Sequence, residues 1–566
     1  MKIFIAITGY LLCVTHIFAP PIFSHHAIHH PITSKNGMVA TQEKHATQVG
    51  INVLKNGGNA IDAAVAIGFS LAVTQPQAGN LGGGGFMMIH IASENRTVAL
   101  DFRETAPENA HKDLFLDSTG HVDEKKSRFS ALSSGTPGTV HGLLTALGDF
   151  GTMRRQQVLR PAIKLAKQGI IVSNELATSL KKAKPRLKKD STMGPIFYPN
   201  NRDLKAGDRL IQKDLARSLQ RISKKGIQGF YQGKTAQQLS TFMSENHGLM
   251  TINDLINYES KYRTPIQISY RNVTVYSMPP PSSGGIIMAQ ILKFIEPYPL
   301  SEWGHNSAKT IHIMSEAMQL AYADRAEWLG DADMVNVPQK QLLNASYIRQ
   351  RRKNIQHHRH SPSININHGI PYESDETTHY SVVDQWGNAV SVTTTLNFSF
   401  GSGIGIPGTG ILLNNEMDDF SAKPGVPNAY GLIGNEKNAI APNKRMLSSM
   451  TPTIALKDGH LFLVTGSPGG SRIITTVTQI ISNVIDHNMN IAEASHAGRF
   501  HHQWWPDTLR IENNAFSKDT LNKLEAMGHT IEIKRTMGST QSIMKINETL
   551  YGASDPRTPS GVTLGY

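Results

Sequence analysis

Cysteine is almost missing from this chain of 566 residues; Cys13 is the sole one. It lies in an apolar run from Ile3 to about Ala19, behind Met1-Lys2 and ahead of Pro20, Pro21 and Ser24. A basic start, a short apolar core and a small residue form the pattern of a secretory signal. Residues 1–24 are therefore read as a signal peptide, with cleavage near Ser24. Leu11-Leu12 precede Cys13, where a lipid-attachment site would have a small residue. The exported chain then has no cysteine, which excludes disulfides, thiol nucleophiles and cysteine-ligated metals. Long apolar runs are also lacking. After the N-terminus no stretch of 18 uninterrupted apolar residues offers a membrane span. The expected location is the periplasm or the medium.

Acidic residues are outnumbered, 44 against 56 Lys and Arg, for a net charge of +12. Six of the cations fall in one short stretch, Lys181, Lys182, Lys184, Arg186, Lys188 and Lys189. No nucleic-acid motif or interleaved aromatic accompanies them, so they read as a solvated basic face, and no nucleic-acid partner is expected. Such a face mildly steers anionic substrates. Histidine is plentiful, at 24. Yet His25-His26, His29-His30, His357-His358-Arg359-His360 and His501-His502 lack the helix-face spacing of a His-Glu-x-x-His site, and adjacent side chains diverge. No metal or cofactor is expected.

Hydrophobic residues make up 39% and charged residues 18%, ordinary for a globular chain with room for two or more structural units. Met38 to Thr74 reads as helix, interrupted at Asn56-Gly57-Gly58. Gly82 to Gly85 has no Lys-Ser/Thr to follow and leads into a strand-like stretch, Phe86 to Ala92. It reads as a close-packed turn, not a phosphate loop. Residues 153–350 are largely helical in pattern, and 361–376 are polar and aperiodic. Strands and turns then run to about Ile474, and a helix follows through Ile485. Helical and strand-rich parts together give a layered α+β protein.

The polar segment ends at Glu376, and Thr377 begins a β-rich stretch. Thr377 to Asp384 and Asn388 to Asn397 read as two strands joined by Gln385-Trp386-Gly387. Val390, Val392 and Leu396 fall on one face; Thr393, Thr395 and Asn397 fall on the other. Pairing Asp384 with Asn388 places Thr377 opposite Thr395. A mid-chain threonine is a weak nucleophile, because its own nitrogen is an amide. A cut between Glu376 and Thr377 would free an α-amine of pKa about 8, so one residue would carry both nucleophile and base. Further on, Gly466-Ser467-Pro468-Gly469-Gly470-Ser471 lacks the Gly-x-Ser-x-Gly spacing of a nucleophile elbow. Its paired glycines either present N–H groups to an oxyanion or form a plain turn.

Thr377 to Asp384 with Gly387 to Val390 closely resembles γ-glutamyltranspeptidases. So do Asn414 to Phe420, Ser448 to Thr453, Gly466 to Arg472, Gly82 to Phe86, Asp101 to Pro107 and Pro280 to Gly285, in order from about residue 36 to the C-terminus. The resemblance implies an N-terminal nucleophile hydrolase with a four-layer αββα sandwich. It implies a precursor that cuts itself at Glu376–Thr377 into a large subunit (25–376) and a small one (377–566), which associate as a heterodimer. Thr377 is the implied nucleophile, with Thr395 orienting it and Gly469 and Gly470 supplying the oxyanion donors. Arg103, Ser448 and Ser449 match residues that hold a donor's α-carboxylate, and Asn397, Glu416 and Asp419 match those that hold its α-amino group. The implied donors are glutathione and other γ-glutamyl compounds; the acceptors are water, amino acids or peptides. Pro424 to Asn435, with Tyr430, resembles a lid loop that cephalosporin-acylase-like relatives tend to lack. Position 416 is acidic where some bacterial members have glutamine. The alternatives carried forward are a glutaryl or cephalosporin acylase of the same fold and an inactive secreted binding protein.

Overall fold

A computed structural model describes residues 27–366, 377–423, 426 and 435–566. The signal segment with Cys13, the residue Glu376 and the lid residue Tyr430 lie outside the described residues. Two seven-stranded sheets form the frame. Across the first run Val562–Gly565, Met38–Thr41, Thr378–Val383, Ala389–Thr395, Gly84–Ile91, Arg96–Phe102 and Lys261–Arg263. Across the second run Ile32–Ser34, Thr549–Ser554, Gln541–Ile546, His460–Thr465, Thr453–Lys457, Val273–Ser277 and Ile266–Tyr270.

The central hairpin follows from its turn. Gly387 takes φ +86°, and the Asp384 carboxylate accepts from the N–H groups of Trp386 and Asn388, both at 2.9 Å. Asp384 also accepts from Ala60 N at 2.9 Å, tying the turn to the start of helix Ala60–Thr74. The strands pair Thr378 with Thr394, His379 with Thr393 and so on to Val383 with Ala389. This is the register read from the sequence, and one step beyond it Thr377 faces Thr395.

Alternation along the hairpin then sorts side chains between layers. Tyr380, Val382, Val390 and Val392 enter a core shared with helices Lys44–Lys55 and Ala60–Thr74. His379, Ser381, Ser391 and Thr393 face the second sheet; Ser391 Oγ donates to Thr465 O (3.0 Å) and Ser381 Oγ to Gln541 O (2.8 Å). The far face of the second sheet is covered by helices Gly284–Ile295, Ala308–Trp328 and Arg472–Ile485. The layers are therefore helix, sheet, sheet, helix, as the αββα reading required.

Two segments depart from the sequence reading. Met38–Thr41 is a strand, and the helix begins only at Lys44, where Glu43 caps Ala46 N at 2.9 Å. Met38–Thr41 is paired on both sides and buried throughout, so it lacks the alternation that marks a half-buried strand. Within the helical tract 153–350, Ile266–Tyr270 and Val273–Ser277 form a hairpin of the second sheet. Here Ile266, Ile268 and Tyr270 are buried and Gln267 and Ser269 exposed, a period of two inside a long helical pattern. The basic stretch lies on helix Asn174–Leu187 and beyond it, with Lys181, Lys182, Lys188 and Lys189 exposed.

Adjacent histidines do diverge: His501 Nδ1 meets Thr475 at 2.8 Å, whereas His502 faces Asp507 at 3.4 Å. Distant ones converge. His312, Glu316 and His529, and beside them His360, His502 and Asp507, form two groups of metal-ligand type. Hydrogen bonds run through both. His360 bridges Glu316 (2.7 Å) and Asp507 (2.8 Å), and Trp504 N–H donates to His502 Nδ1, which puts the proton of neutral His502 on the nitrogen facing Asp507. Asp507 also accepts from Ser363 N, so this buried knot pins residues 360–363 to the C-terminal part of the chain. Burial disfavours a charge on His360, but its two carboxylate partners outweigh that and raise its pKa to about 9. Its stabilising contribution should be complete below about pH 6.5 and lost as pH rises through about 9, on the order of 1–2 kcal/mol. Urea unfolding of His360→Asn should lack that slope; a variant that keeps the wild-type pH dependence would contradict the assignment.

Candidate active site

At the open end of the hairpin, Thr377, Thr395 and Asn397 line a small cleft. Thr377 is 8% exposed. Thr395 is fixed at both ends of its residue: Asn80 Nδ2 donates to its carbonyl (2.9 Å), and its Oγ1 accepts from Asn397 N (2.8 Å). Asn397 leaves the strand at φ +74° and turns its amide to Asn415 O at 2.9 Å. The glycine run explains how the chain closes here. A Cβ on Gly83 would sit 2.1 Å from Thr395 O, and one on Gly85 would sit 2.4 Å from Thr393 O. The run is thus a close backbone contact beneath the Thr395 strand, as its sequence context suggested. Behind Thr377, His379 is wholly buried against Gly466, and burial lowers its pKa to about 3, so it is a neutral packing group.

One wall is ionic. Arg103 follows the strand Arg96–Phe102 and is fully buried; its Nη1 donates to Glu416 Oε2 at 2.6 Å and its Nη2 to Asp419 Oδ2. Glu416 and Asp419 come from a 3-10 turn, Glu416–Asp419. Glu104 Oε2 lies 3.7 Å from Arg103. Burial pushes all three carboxyls upward and Arg103 opposes it; Glu104 reaches about 8. Arg103 is held above the usual guanidinium range: burial pulls it down, and its acidic partners more than compensate. The wall thus gathers three carboxyl groups around a single guanidinium.

Other lining groups are hydroxyls and amides. Ser448 and Ser449 line the cleft, on a loop that Ser283 anchors by donating from N (2.8 Å) and Oγ (2.7 Å) to Ser448 O. Gly470 lines the cleft, while Gly469, at φ +130°, sits directly before it without reaching the lining. Both precede helix Arg472–Ile485, whose N-terminal N–H groups favour negative charge nearby. Sequence reading missed Arg325 and Ser471 in the lining. Arg325 lies on helix Ala308–Trp328, which is buried almost all round. A charged residue on such a helix is itself a signal, since buried arginines need partners or a task.

A nucleophile-bearing hydroxyl, a partner hydroxyl, backbone donors at a helix start and walls of both charge signs suit acyl transfer from a zwitterionic substrate. Comparison with known proteins agrees. A sequence profile described as gamma-glutamyltranspeptidase matches residues 46–565. The glutathione hydrolase proenzyme of Escherichia coli K12 is 54% identical over 95% of this chain and 93% of its own. The crystal structure of cephalosporin acylase from Bacillus halodurans superposes with a TM-score of 0.84 at 26% identity, covering 97% of this chain and 99% of that one. That of Helicobacter pylori gamma-glutamyltranspeptidase gives 0.56 at 46% identity, over 57% of this chain and 93% of that one.

The glycine contact is directly testable. Gly83→Ala should force the Thr395 strand to shift, costing about 1–3 kcal/mol in thermal or urea unfolding and most of the activity. An unchanged melting temperature with full activity would show that the contact does not set the position of Thr395.

Proposed function

The chain belongs to the γ-glutamyltranspeptidase family, and on that premise we propose how its residues carry out the family's reaction. The protein is a γ-glutamyl hydrolase and transferase acting on glutathione and related compounds. The observation that carries the assignment of residues is the placement of Thr377 opposite Thr395 at one end of a cleft whose walls bear both charge signs. Self-cleavage of the Glu376–Thr377 bond frees the α-amine of Thr377, and residues 25–376 and 377–566 remain associated. The amine takes the proton from Thr377 Oγ1 as that oxygen attacks the donor's γ-carbonyl carbon. Negative charge gathers on the carbonyl oxygen, where the N–H groups of Gly469 and Gly470 receive it. Collapse breaks the amide bond, and the leaving amine takes the proton from the Thr377 ammonium. A γ-glutamyl ester on Thr377 remains. Water or the amine of an amino acid or peptide then attacks it, with Thr377 again moving the proton. Thr395 orients the nucleophile.

Asn397, Glu416 and Asp419 hold the donor's α-ammonium, and Ser448 and Ser449 with Arg103 hold its α-carboxylate. Residues 1–24 direct export to the periplasm or beyond; among the described residues no helix is long and apolar enough to cross a membrane. The acidic wall favours this reading over a glutaryl acylase, because a glutaryl group has no ammonium to meet Glu416 and Asp419. Hydrolysis of γ-glutamyl-p-nitroanilide should exceed that of glutaryl-p-nitroanilide by about 100-fold or more in kcat/KM; equal rates would favour the acylase. Thr377→Ala should remain a single chain without turnover, and normal processing with retained activity in that variant would refute the mechanism.

A further inference from the structure

Two buried histidines from opposite sides of the Glu376–Thr377 bond meet away from the cleft. His312 lies on helix Ala308–Trp328, and His529 follows helix Lys518–Ala526; they are 0% and 4% exposed. His312 Nε2 lies 2.7 Å from Gln356 O, which can only accept, so the proton of neutral His312 sits on Nε2. Its Nδ1 is then a lone pair, and it faces His529 Nε2 at 2.8 Å. His529 Nδ1 has no hydrogen-bond partner among the described residues. A single hydrogen bond thus sets that ring, in a core where an unpaired nitrogen is costly. Glu316 stands one turn along the helix from His312, on the same face, and is 2% exposed. A nitrogen of each histidine and an oxygen of Glu316 all lie within 4.8 Å of one another.

The surroundings suit a metal ion. A ligating imidazole typically donates its second N–H to a carbonyl, as His312 does to Gln356, and a ligating carboxylate is held by further hydrogen bonds. His360 Nδ1 (2.7 Å) and Ser361 N (3.2 Å) donate to Glu316, and Asp507 holds His360 from its other side. His502 differs: its Nδ1 accepts from Trp504 N–H, so its Nε2 keeps a proton and cannot bind an ion. The group of His360, His502 and Asp507 is therefore a support and not a second site. We propose that His312 Nδ1, Glu316 and His529 Nε2 bind one divalent ion of the zinc class, which clamps the two halves of the chain together. Two imidazoles and a carboxylate form a zinc donor set, with the fourth position left to water. Zinc–nitrogen bonds of about 2.0 Å place tetrahedral ligand nitrogens about 3.3 Å apart, so the histidine pair opens by roughly 0.5 Å. The proton on His529 Nε2 passes to Nδ1, and nothing is oxidised or reduced. Arg325, farther along the same helix, lines the cleft roughly 14 Å along the axis from Glu316, so the ion is structural and takes no part in acyl transfer. The sequence expectation of no metal fails here because the set pairs a His-x-x-x-Glu turn with a histidine 217 positions from His312. The joining of two subunits rests on the cleavage reading above; the ion site does not.

The test is Zn²⁺ binding by the purified protein after treatment with a chelator, read by competition with a chromophoric chelator and by thermal unfolding. The wild type should bind one Zn²⁺ per chain with a Kd of about 1 μM or less, and its melting temperature should rise with added Zn²⁺. His529→Gln and Glu316→Gln should each weaken that affinity by about 100-fold or more and lose the rise. Thr377→Ala should bind as the wild type does whether or not it is cut, so a failure of self-cleavage is distinguishable from a failure of the site. In the cleaved wild type, Zn²⁺ should raise the urea concentration at which the two fragments separate; no rise would remove the clamp from the proposal. A wild type that takes up no Zn²⁺ would overturn the site outright. So would His529→Gln with undiminished affinity and stabilisation, which would place the zinc on exposed histidines such as His357 and His358. If His529→Gln fails to fold, Glu316→Gln is judged by the same two criteria.

Discussion

The active cleft depends on the register of one hairpin. Thr378–Val383 and Ala389–Thr395 lie side by side in the middle of the first sheet, and each is also paired with a further strand. A slip of one residue would turn Tyr380, Val382, Val390 and Val392 out of the helix-covered core and bring polar side chains into it. That apolar cost holds Thr377 opposite Thr395, on the face toward the second sheet. The Asp384 carboxylate fixes the other end of the same hairpin and joins it to helix Ala60–Thr74. Packing and turn chemistry far from the cleft thus set the position of the reacting hydroxyl.

Around that fixed point the chain gathers charge from distant segments. Arg103, Glu416 and Asp419 form a buried ionic cluster that would be expensive to assemble without its internal hydrogen bonds. Arg325 approaches from a helix of the far layer, and Ser448 and Ser449 from a loop that Ser283 anchors. The layers need one another here. The first sheet carries the threonines and Arg103, and the layers packed beyond it bring the glycine turn, the serines and the second arginine. The His360 knot does related work on the outside, tying residues 360–363 to the part of the chain that follows Thr377.

The hairpin was legible because its signals were local: a glycine-ended turn, alternating valines and threonines, and a register set by a single assumed pair. The glycine run was legible as a close contact for similar reasons. Met38–Thr41 was not, because a short strand buried on both faces and followed by a helix shows no period of its own. The hairpin Ile266–Ser277 was overlooked although its alternation was present, because it interrupts a long helical tract. Among the site residues, the opposition of Thr377 and Thr395 came from spacing, whereas Arg103, Glu416, Asp419 and the serines came from motif resemblance. Spacing along a chain says nothing about contacts between residues that lie hundreds of positions apart. Arg325 gave a weaker signal still: a buried cation late in a helix without a polar face, whose meaning appears only once the serines beside it are placed. Likewise, His312, His360, His502 and His529 come together from four separate segments, which no local spacing could announce.

The most direct measurement is N-terminal sequencing, with intact mass, of the purified active protein. A smaller fragment beginning Thr-Thr-His-Tyr and a larger one ending at Glu376 is the result this account predicts. A single uncut chain with full γ-glutamyl turnover, or a smaller fragment starting at any other residue, would contradict the claim that Thr377 acts as an N-terminal nucleophile.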